Sequence, residues 1–255
     1  MGQTILSNMA SNPKTVKELK EREIEGVILH LASADSVSEI LGRKVTVCPL
    51  AKLNKCDEPC LDHQGRGRMN SVQDARLKKT ARFFTDRKGF MEDLRSELHK
   101  LEKRAKKKGL RPVARLDGTS DLGLSMTLAK EFPKIQLYDY TKVTRRMHRW
   151  LKGNYPNVHM TYSLGAGNKA DALEVLESGG NVAVVFRLKK GEPLQRSWNG
   201  YEVIDGDTHD FRFLDRASWV TQPLNGTVIG LRAKGTSYHD QSGFVQEPRP
   251  RIQIN

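Results

Sequence analysis

The three cysteines of this chain, Cys48, Cys56 and Cys60, fall within thirteen positions, in the stretch "VCPLAKLNKCDEPCLDHQGRG" (47–67). Thiolates are soft ligands that suit zinc or iron–sulfur clusters. An odd, clustered set fits metal ligation or redox chemistry better than a disulfide framework. Burial as small apolar groups fits poorly, because the neighbours are Lys52, Asn54, Lys55, Asp57 and Glu58 rather than an apolar stripe. A closed zinc site needs a fourth ligand, for which His63 is the nearest candidate, although C-x7-C-x3-C-x2-H is not a usual finger spacing. A [4Fe-4S] cluster normally takes four thiolates, so three leave one iron to water, substrate or another residue. Pro49 and Pro59 stiffen the loop, and Gly65 and Gly67 let its exit turn sharply.

A second group of reactive residue types recurs where short apolar runs end: "RLDGTSD" (115–121), "YDYTK" (138–142), "TYSLGAGNK" (161–169), "VIDGDTHD" (203–210) and "LRAKG" (231–235). If these runs are parallel strands, the loops after them share one face, and Arg115, Asp117, Ser120, Asp121, Asp139, Lys142, Ser163, Asp205, Asp207, His209 and Lys234 line one cavity. Taken singly, each Asp, Ser or Thr is as well explained as a turn residue or helix cap. Caps do not call for Arg115, Lys142 and Lys234 in the same places, whereas a polar or anionic ligand does. "SLGAGNK" lacks the Walker A and dinucleotide spacings and reads as a glycine turn entering a helix. "DGDTHD" lacks the EF-hand spacing, so its acids make a weak case for a hard cation.

The elements that must position these residues follow from periodicity. "IEGVILHLASAD" (24–35) opens with a strand, and 70–85 forms a helix. Phe90, Leu94, Leu98, Leu101 and Ala105 recur at spacings of three and four and mark a second, amphipathic helix. Beyond residue 111, strands at 112–116, 135–140, 158–163, 181–187, 201–205 and 227–233 alternate with helices at 124–131, 142–152 and 168–178. This rhythm predicts an α/β fold, a β/α barrel or partial barrel, with an open doubly wound sheet as the alternative. The expected organisation is a polar N-terminal segment (1–22), a single α/β domain (23–245) carrying the metal loop (47–67), and a tail (246–255).

The 255 residues carry a net charge of +13, which favours polyanions such as nucleic acid. Much of that charge sits in "LHKLEKRAKKKGLR" (98–111), where a solvated helix end explains it equally well. No run approaches the roughly 20 apolar residues of a membrane span, and the N-terminus has no signal-peptide pattern, so the expected location is the cytoplasm. Nothing demands a second copy of the chain.

The Cys-Pro loop with "CLDHQGRGRMNSVQDARLKKTARFF", followed by "RLDGTSD", "YDYTK", "NVAVVF", "VIDGDTHDFRFLD" and "GLRAKG", resembles the gene product 88 family of tailed bacteriophages over roughly residues 25–245. The resemblance implies a phage origin, so that the cytoplasm is the host's, an iron–sulfur site on the three cysteines, and a likeness to the barrel of radical S-adenosylmethionine enzymes. The spacing here is C-x7-C-x3-C where those enzymes usually have C-x3-C-x2-C. The leading expectation is therefore a [4Fe-4S] protein with one open iron. In an enzymatic version Asp117, Asp121, Asp139, Lys142 and Asp205 act on the substrate, while Arg115, Ser120, Ser163, Asp207 and Lys234 hold a cofactor, S-adenosylmethionine being the candidate. The alternatives are a nucleic-acid-binding protein with structural zinc or a structural cluster, and an electron-transfer protein.

Overall fold

The computed structural model describes residues 4–11, 13–57, 59–60, 65–215 and 226–248. Strand β1 (Leu6–Asn8) and helix α1 (Pro13–Glu21) precede β2 (Ile24–Leu29). After the cysteine loop come α2 (Asn70–Thr85) and α3 (Arg87–Lys108), then β3 (Arg111–Arg115), α4 (Leu124–Leu128), β4 (Gln136–Thr141), α5 (Thr144–Leu151), β5 (Val158–Ser163), α6 (Lys169–Glu177) and β6 (Val182–Phe186). The hairpin β7 (Ser197–Trp198) and β8 (Tyr201–Asp205) and the strand β9 (Val228–Arg232) complete the set.

These strands form one sheet in the order β1-β2-β3-β4-β5-β6-β9-β8-β7. Every pairing from β2 to β8 is parallel, and the two terminal pairings are antiparallel. From β1 to β6 the order follows the chain without reversing, as in a barrel wall. The sheet ends at β1 and β7, so it is a partial, open structure rather than a closed barrel.

Alternation along the strands explains its two faces. Leu29, Ala114, Leu137, Met160, Val182 and Val184 pack with Leu94, Leu98 and Leu101 of α3, Met147 of α5 and Val175 of α6 in the main core. Residues of the opposite parity, Ile24, Val113 and Tyr138, pack with Met9, Leu19 and Phe211 on the other face. Helix α3 buries the residues its spacing predicts, and stops at Gly109, whose φ of 67° suits glycine.

The N-terminal segment differs from expectation. Residues 1–22 were expected to stand outside the domain, yet Leu6–Asn8 pair with Val27–Leu29, and Ile5, Leu6, Met9 and Leu19 are buried. Their apolar side chains are too scattered among polar ones to stand out in a sequence window. The expected tail also begins later: Gln246 bridges to Phe186, and its N–H donates to Val185 O at 2.8 Å. The short β7–β8 hairpin turns at Asn199-Gly200, with φ of 47° and 89°, between Trp198 and Tyr201.

Candidate metal centre

The loops after the parallel strands share one edge of the sheet, and the cysteine loop lies across it. Val47 is tied to both sides, its N–H donating to Ala34 O and its carbonyl accepting from Asp121 N at 2.8 Å. The loop then rests on "GAG": a Cβ on Gly165 would stand 2.5 Å from Asn54 Cβ, and one on Gly167 2.7 Å from Leu53 O. Ala166 N donates to Asn54 O at 3.1 Å and fixes this contact. The glycines therefore serve close approach of two chain segments, which a sequence reading of a plain turn misses.

Beneath the loop is a cavity of about 240 Å³ with Cys48, Cys56 and Cys60 on its wall. Of the expected residues, Arg115, Asp117, Ser120, Asp121, Lys142, Ser163 and Lys234 line the same cavity. Three expected acids do not line it. Asp139 is buried below, where it accepts from Asp117 N at 2.8 Å and from Ser125 Oγ; burial, reinforced by Asp117, pushes its carboxyl well above the usual range. Asp205 and Asp207 pair instead with Arg232, and Asp207 also with Lys234 at 2.9 Å. The Arg232 bonds hold Asp205 below the usual carboxylate range, and the bonds from Lys234 and Arg232 do the same for Asp207 against the opposing effect of its burial. From the same "DGDTHD" stretch it is Asp210 that lines the cavity. His209 lies 3.6 Å from Asp215, and burial pushes its imidazole down to about 4.

The acids that do line the cavity have structural work. Asp117 accepts from the N–H groups of Leu122, Gly123 and Leu124 and from Ser120 Oγ at 2.6 Å, capping the entrance to α4. Asp121 accepts from Thr141 Oγ1 and Lys142 N, both at 2.9 Å, and pairs with Arg146. Burial raises its pKa, with Arg146 opposing.

Lys142 is the basic group closest in influence to the thiols. Its Nζ donates to Ser163 Oγ at 2.6 Å and lies 5.2 Å from the centre of the Phe244 ring. Burial lowers its pKa, while Cys56, Asp121, Cys48 and Cys60 act in the opposite sense. All three thiols are half-buried; burial pushes Cys48 up to about 12 and raises Cys56, with Lys142 partly offsetting the rise at Cys56. Cys48 Sγ lies 3.8 Å from Thr119 O and Cys56 Sγ 3.7 Å from Ala51 O.

Among the described residues no three His, Cys, Asp or Glu side chains are arranged to hold a single metal ion. Four-coordinate zinc at about 2.3 Å from each sulfur needs sulfurs gathered around one point. A cluster attaches each cysteine to a different iron. His63, the expected fourth zinc ligand, lies outside the described residues.

The family model of gene product 88 matches residues 5–248. The chain belongs to the gene product 88 family. No curated protein and no solved structure matches this gene product 88 chain. No described helix is long and apolar enough to cross a membrane.

Reading its sequence missed Tyr140, Asp210, Arg232 and Phe244, all of which line the cavity. Tyr140 and Arg232 stood inside the quoted strand ends and were visible by position. Phe244 was not, because it arrives on a non-regular return segment held by Arg187, whose guanidinium donates to Tyr238 O and Asp240 O.

Proposed function

We propose that this gene product 88 protein is a phage iron–sulfur protein of the host cytoplasm, in which Cys48, Cys56 and Cys60 hold a [4Fe-4S] cluster with one iron open to the cavity. The observation that carries this reading is three thiols from one loop on the wall of a single cavity, at the edge of the sheet where parallel strands deliver their loops. When bound, such a cluster supplies one-electron chemistry and an iron free to take a ligand. The chain's own residues then have definite tasks. Lys142, fixed by Ser163, sets a positive charge beside the thiolates. Phe244 and the apolar wall of Val185 and Leu231 keep water from the same space. S-adenosylmethionine is the first small molecule to offer the open iron.

The second reading is nucleic-acid binding around structural zinc. It is favoured by Lys106 and Lys107, exposed on the last turn of α3 in a chain of net charge +13.

Purification without oxygen followed by iron, sulfide and zinc assays separates the two. Broad visible absorption with about four iron and four sulfide per chain, abolished in Cys48→Ala, Cys56→Ala and Cys60→Ala, supports the cluster. Full retention of the band in all three variants sinks it. One zinc, no colour, and DNA binding that falls steeply with salt support the second reading.

A further inference from the structure

Most charges around the cavity are matched; among the described lining residues Arg115 and Asp210 have no ion pair within 4 Å. Arg232 is paired with Asp205 and Asp207, Lys234 with Asp207, and Asp121 with Arg146. Asp117 is saturated by N–H groups and a hydroxyl. Lys142 has Ser163 and faces the thiols. Arg115 has no such match. It ends β3, lines the cavity, is half-buried, and lies 4.8 Å from the centre of the Tyr140 ring. Its one hydrogen bond runs from Nη2 to Gly118 O at 3.4 Å, and its Nε is buried without a partner. Asp210 and Asp139 contribute to its field, but among the described residues neither they nor any other carboxylate lies within ion-pairing distance.

A guanidinium taken out of water without a counter-charge is costly, and a fold keeps one where something else repays the cost. Its planar fork matches two oxygens of one oxyanion, which a lysine does not. Burial at Arg115 is outweighed by Tyr140, Tyr138, Asp139 and Asp210, which raise its pKa, and cations lie nearby too. His30, at the end of β2, has a buried Nδ1 with no partner, and burial together with Arg76, Arg115 and Lys79 pushes its imidazole down to about 3. The neighbouring wall is apolar, formed by Ala183, Val185, Leu231 and Phe244.

We infer that the cavity binds a small ligand with an oxyanion, received by the Arg115 guanidinium, joined to an apolar body lying against Val185, Leu231 and Phe244. This stands apart from the cluster, since no cysteine takes part in it. Within the cavity Arg115 orients the ligand, and Tyr140 keeps the guanidinium plane in position by stacking.

The test is calorimetric titration of the purified full-length protein with benzoate and with phenyl phosphate, benzamide serving as the uncharged control. Saturable binding of either anion and none of benzamide is expected, and the preferred anion tells carboxylate from phosphate. Arg115→Met weakens that binding roughly ten- to a hundredfold, the range of a charge-assisted hydrogen bond, and Arg115→Lys falls between. Lys107→Met, which removes the same charge from the surface, leaves it unchanged. Thermal unfolding gives a separate readout. The bound anion raises the midpoint of the wild type and leaves that of Arg115→Met unmoved. Absence of binding by both anions, equal affinity in Arg115→Met, or an equal loss in Lys107→Met overturns the inference. So does a lower midpoint in Arg115→Met or Arg115→Lys combined with no anion-induced shift in the wild type, the signature of a purely structural arginine.

Discussion

Two loops at the same edge of the sheet carry most of the reactive residue types, and they solve opposite problems. The 205–210 loop brings three acids and a histidine, and two of its acids are met by the neighbouring strand end: Asp205 by Arg232 and Asp207 by Arg232 and Lys234, with burial pushing His209 down to about 4. The 47–60 loop brings three thiols to one cavity wall, Cys48 and Cys56 in weak carbonyl contacts at 3.8 and 3.7 Å, and Lys142 at the end of β4 faces them. A loop whose charges are met by neighbouring residues is a scaffold, and the one that sets three thiols on a cavity wall is the candidate site.

The comparison breaks first at the glycines. Gly165→Ala drives a methyl into Asn54, and Gly167→Ala drives one into Leu53 O, at a cost of about 1–3 kcal/mol each. The cysteine loop must lift to relieve them. Urea unfolding should show the loss, and alkylation of Cys56 should accelerate in both variants; unchanged alkylation would mean that the loop is held elsewhere.

A smaller effect is expected at Arg232→Met, which removes the ion-pair partner of the more exposed Asp205 and leaves Asp207 with Lys234. With both carboxylates partly solvated, about 1–2 kcal/mol is expected from denaturation curves, with iron content unaffected. Loss of iron on this substitution would place the acid loop in the metal centre after all.

The smallest effect is in pH. His209 titrates near 4 in the folded chain against an ordinary 6.5, so the unfolded chain binds a proton that the folded one does not. Stability is therefore lost as pH falls through 6.5, by under about 1 kcal/mol between pH 7 and 6 for this residue. His209→Gln should flatten that part of the curve, and an unchanged slope would assign it to other groups such as His30 and His159, whose pKa values burial also depresses.

Periodicity made the βα rhythm legible. The helix at 70–85 and the strands at 158–163 and 201–205 coincide with the observed elements, because apolar alternation and helical spacing are local properties of the chain. The family was legible too, from the ordered motifs around the cysteines and the strand ends. Local patterns do not carry the pairing of distant segments. That β9 inserts between β6 and β8, that Leu6–Asn8 close one edge, and that "GAG" is a seat for Asn54 depend on contacts spanning the chain.

The same division holds at the site. Residue type alone named the thiols, the acids and the cations at strand ends as the chemically capable groups. Only the tertiary structure decided which charges cancel: Asp117 is spent on capping α4, Asp205 and Asp207 on Arg232, and Arg115 lines the cavity with no ion pair among the described residues. A side chain's chemistry is written in its own atoms, but its charge balance is set by neighbours that the sequence keeps far apart.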